Sequence, residues 1–113
     1  MNQDINNGAV RVVREYTGRG PTQARTVIDH NSVTIFLADT LTPGERRLSD
    51  GGQADHVLRT RQAFQQLMRD DLVKVVEDAV DRKVIAFMSA NHIDPDMAVE
   101  VFVLEPVERP SAG

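Results

Sequence analysis

The sequence predicts a two-layer α/β (α+β) sandwich: a mostly antiparallel four-stranded sheet with helices on one face. Two stretches, one near the N-terminus and one from about residue 52 to 83, place apolar residues at the three-and-four spacing of a helix. Four short segments rich in Val, Ile, Phe and Leu form two pairs, each joined by a tight polar turn. The order α-β-β-(α)-α-β-β joins two hairpins through helix, and packing the helices on the sheet buries both apolar faces.

The first helix places Ile5, Ala9, Val12, Val13 and Tyr16 on one face, with Asp4, Arg11, Arg14 and Glu15 elsewhere. Gly18 stands where a left-handed C-terminal cap is expected, and Pro21 follows just beyond it. Strands are expected over 22–29 and 32–38, with Asn31 supplying positive φ in the hairpin between them. Thr42-Pro43-Gly44-Glu45 reads as a helix start: Thr42 as N-cap, Pro43 in the first turn, Glu45 closing a capping box. That short helix is expected to end near Leu48.

The next helical pattern covers about 30 residues, or ~45 Å, whereas a compact domain of this size is ~30–35 Å across. It must therefore break, near Arg69-Asp70-Asp71, or bend or overhang the domain and pack on another chain. Its inner row is read as 57, 61, 64, 68, 72, 75 and 79, apolar throughout except for Arg61. Two last strands, over 83–91 and 97–105, flank a turn through Asp94-Pro95-Asp96. Residues 1–105 are expected to form one domain and 106–113 a disordered tail.

The 113 residues contain no cysteine, which excludes disulfides, thiolate metal sites and cysteine catalysis. The net charge of −4 argues against non-specific nucleic-acid binding. All five aromatic residues, Tyr16, Phe36, Phe64, Phe87 and Phe102, sit in apolar-patterned positions, which argues against a base-stacking platform. No run approaches the ~20 apolar residues of a spanning helix, and the N-terminus does not resemble a secretory signal. The expectation is a cytoplasmic protein without direct membrane insertion. Arginines at 11, 14, 19 and 25 and acids at 94, 96, 100, 105 and 108 form two regions of opposite charge, either paired or merely solvated.

Arg61 carries the sharpest functional question. A cation in a buried row needs an anionic or multi-acceptor partner. Three partners stay open: a carboxylate of the same chain, a carboxylate of a second subunit, or a bound anion such as a carboxylate, phosphate or bicarbonate. Glu45 is explained by its capping box and can also pair with Arg61 or Arg19. The Gly18-Arg19-Gly20-Pro21 loop could cradle an anion, but it follows a helix C-terminus, whose dipole disfavours anions. A helix stop with a rigid turn explains it better. His92 and the two aspartates after it are explained by turn chemistry rather than by a metal. No nucleophile elbow, HExxH or cofactor loop is present, so no catalytic residue, metal or cofactor is assigned.

Thr17-Gly18-Arg19-Gly20-Pro21 after a helix, Leu41-Thr42-Pro43-Gly44-Glu45 after a hairpin, Arg61 in a long helix and the ending Val101-Phe102-Val103-Leu104 together resemble the MpsC family of small bacterial proteins. The residues matching its motifs are Gly18, Arg19, Gly20, Pro21, Thr42, Glu45 and Arg61. The Thr-Gly-Arg often found before the third strand is here Val80-Asp81-Arg82, without the glycine. The resemblance implies a link to a sodium-translocating, membrane-potential-generating system and inorganic-carbon uptake, with no catalytic role attached. The expected function is an accessory protein-interaction module, a homodimer joined through the long helix, docking to a membrane transport complex. The alternative is a small-anion or small-molecule sensor with Arg19, Glu45 and Arg61 around the ligand.

Overall fold

The computed structural model describes residues 1–107. The chain runs α1 (Asn2–Thr17), β1 (Gln23–Asp29), β2 (Ser32–Ala38), α2 (Pro43–Asp50), α3 (Ala54–Val80), β3 (Val84–His92) and β4 (Met97–Leu104). The strands form one sheet in the order β1-β2-β4-β3, with every neighbouring pair antiparallel. The element order and the α+β sandwich are those the sequence predicts. Of the expected tail, residues 108–113 lie outside the described residues.

The two hairpins meet side by side, β2 pairing with β4 from Ser32↔Val103 to Ala38↔Met97. Strict alternation decides what enters the core. Val33, Ile35 and Leu37 of β2, and Ala98, Phe102 and Leu104 of β4, are buried under the helices. Among the described residues no helix lies on the opposite face of the sheet.

α1 packs on β1, and α3 packs on α1 and β3. α1 and α3 approach closely at Gly8, where a Cβ would lie 2.6 Å from Val75 Cγ1. Glycine is required there by proximity, not by backbone angle. α3 is one helix of 27 residues, unbroken through Arg69-Asp70-Asp71. Its buried row is Val57, Arg61, Gln65, Met68, Leu72 and Val76. The expected row placed Phe64, Val75 and Ala79 there; these pack at the flank of the core, half-buried. The apolar pattern blurred the row because α1 and the sheet wet α3 over a wide arc, while a polar residue, Gln65, occupies the centre. No helix among the described residues is long and apolar enough to cross a membrane.

Turns follow their chemistry with one correction. Gly18 caps α1 in the left-handed region at φ 81°, its N–H donating to the Arg14 carbonyl. In the β1–β2 turn it is His30, at φ 37°, and not Asn31, that takes positive φ. Asn31 is held elsewhere: its side chain accepts from Arg82 Nη2 at 2.8 Å and its carbonyl from the Leu104 N–H. Asp81 adopts φ 54° at the end of α3, the left-handed position where the family's glycine would stand. Arg82 then ties three segments together, donating also to the carbonyls of His30 and Glu105.

Candidate functional site

The site is assembled where the β2–α2 link, α2, the middle of α3 and the β3–β4 turn converge. Thr42 caps α2, its hydroxyl accepting from the Glu45 N–H, while Glu45 Oε1 accepts from the Thr42 N–H. This reciprocal box fixes the Glu45 carboxylate over the helix start. Arg61, 2% exposed, reaches it from α3: Nη1 donates to the Thr40 carbonyl at 3.1 Å and to Glu45 Oε1 at 3.4 Å. One carboxylate thus serves as cap and counter-ion.

The carbonyl that receives Arg61 is itself held in place. Asp96, from the β3–β4 turn, accepts from the Thr40 N–H, the Thr40 hydroxyl and the Leu41 N–H, and pairs with Arg46 at 3.1 Å. These bonds lock the link between β2 and α2 against the far hairpin. The acidic stretch over residues 94–105 is therefore not one solvated face: the side chains of Asp96 and Glu100 turn inward.

One helical turn beyond Arg61, Gln65 continues the polar interior. Gln65 and Asn91 exchange amide hydrogen bonds at 2.9 and 3.1 Å, and Gln65 Nε2 also donates to Glu100 Oε1 at 3.1 Å. Glu100 is 1% exposed. Burial pushes its carboxyl up to about 8, against the opposing pull of the Gln65 hydrogen bond, the Arg61 charge and the Ser89 hydrogen bond. The shift favours its protonated form at neutral pH. The interior then contains one cation, Arg61, and one anion, Glu45, which compensate each other.

The sequence-predicted residues are distributed unevenly over this arrangement. Glu45 and Arg61 come together. Arg19 does not join them directly: its Nε donates to the Asp39 carbonyl at 3.1 Å, one residue before the Thr40 carbonyl that takes Arg61. Thr22 bonds the Asp39 side chain from the same side. Gly20 leaves room for Arg14, whose Nε would be 3.0 Å from a Cβ there, and Pro21 is buried. Sequence reasoning passed over Gln65, read Asn91 and Asp96 as turn residues, and read Glu100 only as part of an acidic region. Glu100 had a signal, since alternation with Ala98, Phe102 and Leu104 turns it inward.

Chemically the arrangement holds segments together. Among the described residues no group of three or more His, Asp or Glu side chains could hold a metal ion. His92 Nδ1 is 2.9 Å from the Pro95 carbonyl, within its own turn. Among the described residues, the grooves beside α3 are not lined by Arg61, Glu45 or Arg19, though a small one between α3 and β3 reaches Gln65 and Asn91; two are larger. One runs between α1 and α3 past Asp4, Arg11, Asp71 and Lys74; the other runs between α3 and β3 past Gln62, Arg69 and Phe87.

This is a small α+β sandwich whose charged interior is closed on itself. Residues 1–106 match the family model described as the Na+-translocating membrane potential-generating system, MpsC, and the chain belongs to that family. No curated protein and no solved structure gives a significant match.

Proposed function

We propose that this chain is a non-catalytic interaction module, acting as a homodimer on the cytoplasmic side of a membrane ion-transport system. The observation that carries this reading is the pairing of Arg61 with Glu45 and the Thr40 carbonyl, within the chain. A ligand sensor needs its guanidinium open to the ligand; here it is 2% exposed and already compensated. The family description supplies the connection to a sodium-translocating system. Without a spanning helix among the described residues, that connection runs through a surface of the folded domain.

One observation favours the anion-sensor alternative. Arg61 Nε, Glu45 Oε2 and Glu100 Oε2 are buried without a hydrogen-bond partner. Of these, Glu45 Oε2 is a carboxylate oxygen, which opposes an anion beside Arg61, so the observation is weak support. Light scattering on the eluting peak tests the interaction reading. A particle of twice 12.6 kDa is expected, together with co-fractionation with the membranes of the native cell. A monomer found only in the soluble fraction would refute it.

A further inference from the structure

Strand β4 reads Met97-Ala98-Val99-Glu100-Val101-Phe102-Val103-Leu104, apolar everywhere except Glu100. Such a run belongs to a strand covered on both faces, because a strand with one wet face alternates apolar with polar residues. Here the helices cover one face only. Ala98, Phe102 and Leu104 enter the core, so Val99, Val101 and Val103 point the other way. The ladders extend this uncovered face sideways. Val101 stands between Thr34 and Met88, and Val99 between Phe36 and Ala90. Val99, Val101 and Phe36 are only half-buried, and Met88 is 53% exposed.

Charge on this face is confined to β1, where Arg25 and Asp29 lie in register with Phe36 and Ser32. The Arg25 guanidinium lies 4.6 Å from the Phe36 ring centroid, stacked on its own sheet. The central strands β2 and β4 present no charge to this side.

We propose that the uncovered sheet face is the homodimer interface, filled by the same face of a second copy, sheet on sheet, about a two-fold axis. This rests on the homodimer reading above and assigns it a surface other than the long helix. Area supports it. Four strands ~4.8 Å apart, each with four outward residues ~6.8 Å apart, give a footprint of roughly 500 Å² before side-chain relief is counted. That relief brings each copy near the ~600 Å² per partner at the lower end of stable interfaces. Its apolar centre, Phe36, Met88, Val99, Val101 and Val103, is the kind of exposed patch that marks interaction sites. α3 offers far less, since its Leu67, 65% exposed, is flanked by Arg69, Asp70 and Asp71.

A second copy fits this face without opposing like charges when the two-fold axis runs along the strands. With the two-fold parallel to the strands between β2 and β4, β1 of one copy lies over β3 of its partner. Each Arg25 then faces the Met88 side of the partner, and the two arginines stay a sheet's width apart. An axis across the strands would stack β1 on β1 in opposite directions, with Arg25 equally near the partner copy's Arg25 and Asp29, and would leave the apolar β4 over β4. Two sheets ~10 Å apart in this arrangement form the aligned packing of a β-sandwich.

The test compares three variants with the wild type by light scattering, with far-UV circular dichroism to verify folding. Val101→Glu puts a charge at the centre of the face, Thr34→Arg does so at a position already polar, and Leu67→Glu alters α3. The wild type and Leu67→Glu are expected at twice 12.6 kDa, with Val101→Glu and Thr34→Arg halved in mass and unchanged in dichroism. Should Val101→Glu fail to fold, Thr34→Arg alone decides. A wild-type dimer that survives Thr34→Arg, or that only Leu67→Glu dissociates, overturns the sheet interface and leaves the homodimer standing. A wild type that stays monomeric overturns both and gives the face to a different partner.

Discussion

Replacing Glu100 by glutamine should make the protein's stability less sensitive to pH. The carboxyl is raised to about 8 in the folded chain, against 4.5 for an unperturbed one, chiefly by burial. For an acid, a raised folded-state value means that the native state keeps a proton that the unfolded chain releases. Stability is then full below about pH 4.5 and falls as the pH rises towards 8. Each unit in that window removes about 1.4 kcal/mol, so the wild type loses about 4 kcal/mol between pH 5 and pH 8 through this residue, an order-of-magnitude figure. Glu100→Gln retains an acceptor for Gln65 Nε2 and has no proton to lose. Leaving its amide N–H unpaired costs about 1–3 kcal/mol at every pH. The difference between the two pH profiles is therefore diagnostic, not the stability at any single pH. Urea denaturation of both proteins at pH 5, 6, 7 and 8 measures it. The variant should gain on the wild type progressively from pH 5 to 8. Parallel profiles would refute the reasoning and mean that Glu100 is ionised in the folded protein, with Arg61 shared between two carboxylates.

Other perturbations test the remaining structure. Arg61→Ala leaves Glu45 without its cation and should cost about 3–5 kcal/mol, read as a lower urea midpoint. Gly8→Ala drives a methyl into Val75 and should cost about 1–3 kcal/mol; Val75→Ala in the same chain should restore part of the loss in a thermal melt. Asp81→Gly relieves a left-handed residue at the end of α3, a position costing other residues about 1–2 kcal/mol, and glycine's added entropy offsets part of that. A net gain of up to about 1 kcal/mol is expected in chemical denaturation, and a loss would mean that the Asp81 side chain holds the turn.

Local rules made the fold legible where one interaction decides the geometry. Thr42 and Glu45 form their capping box, Gly18 takes its left-handed cap, and β2 occupies the expected residues. Where two partners compete for a residue, local rules misled. Asn31 has the intrinsic preference for positive φ, but Arg82, 51 residues away, holds its side chain and His30 takes the angle instead. Helix length alone left a break at Arg69-Asp70-Asp71 or a bent or overhanging helix open; α3 runs through without a break, and Asp71 accepts a hydrogen bond from Tyr16 of α1 at 2.7 Å.

The candidate site was half legible for a related reason. Arg61 stood out because a cation interrupts an apolar row, and Glu45 because its capping role placed it. Gln65 and Glu100 were missed because a single polar residue on an apolar element reads as solvent-facing until its strand or helix neighbours are known. The interior pairing of Gln65 with Asn91 joins residues 26 positions apart, which no local pattern encodes. The order β1-β2-β4-β3 likewise depends on which hairpin edges meet, and that is decided by the core beneath β2 and β4.

The claim that Arg61 is compensated within the chain is tested most directly by thermal melts with bicarbonate, phosphate and sulfate added at equal ionic strength. The account predicts the same small change with each salt in the wild type and in Arg61→Lys. Stabilisation by one of these anions that disappears in Arg61→Lys would contradict it and make the guanidinium a ligand site.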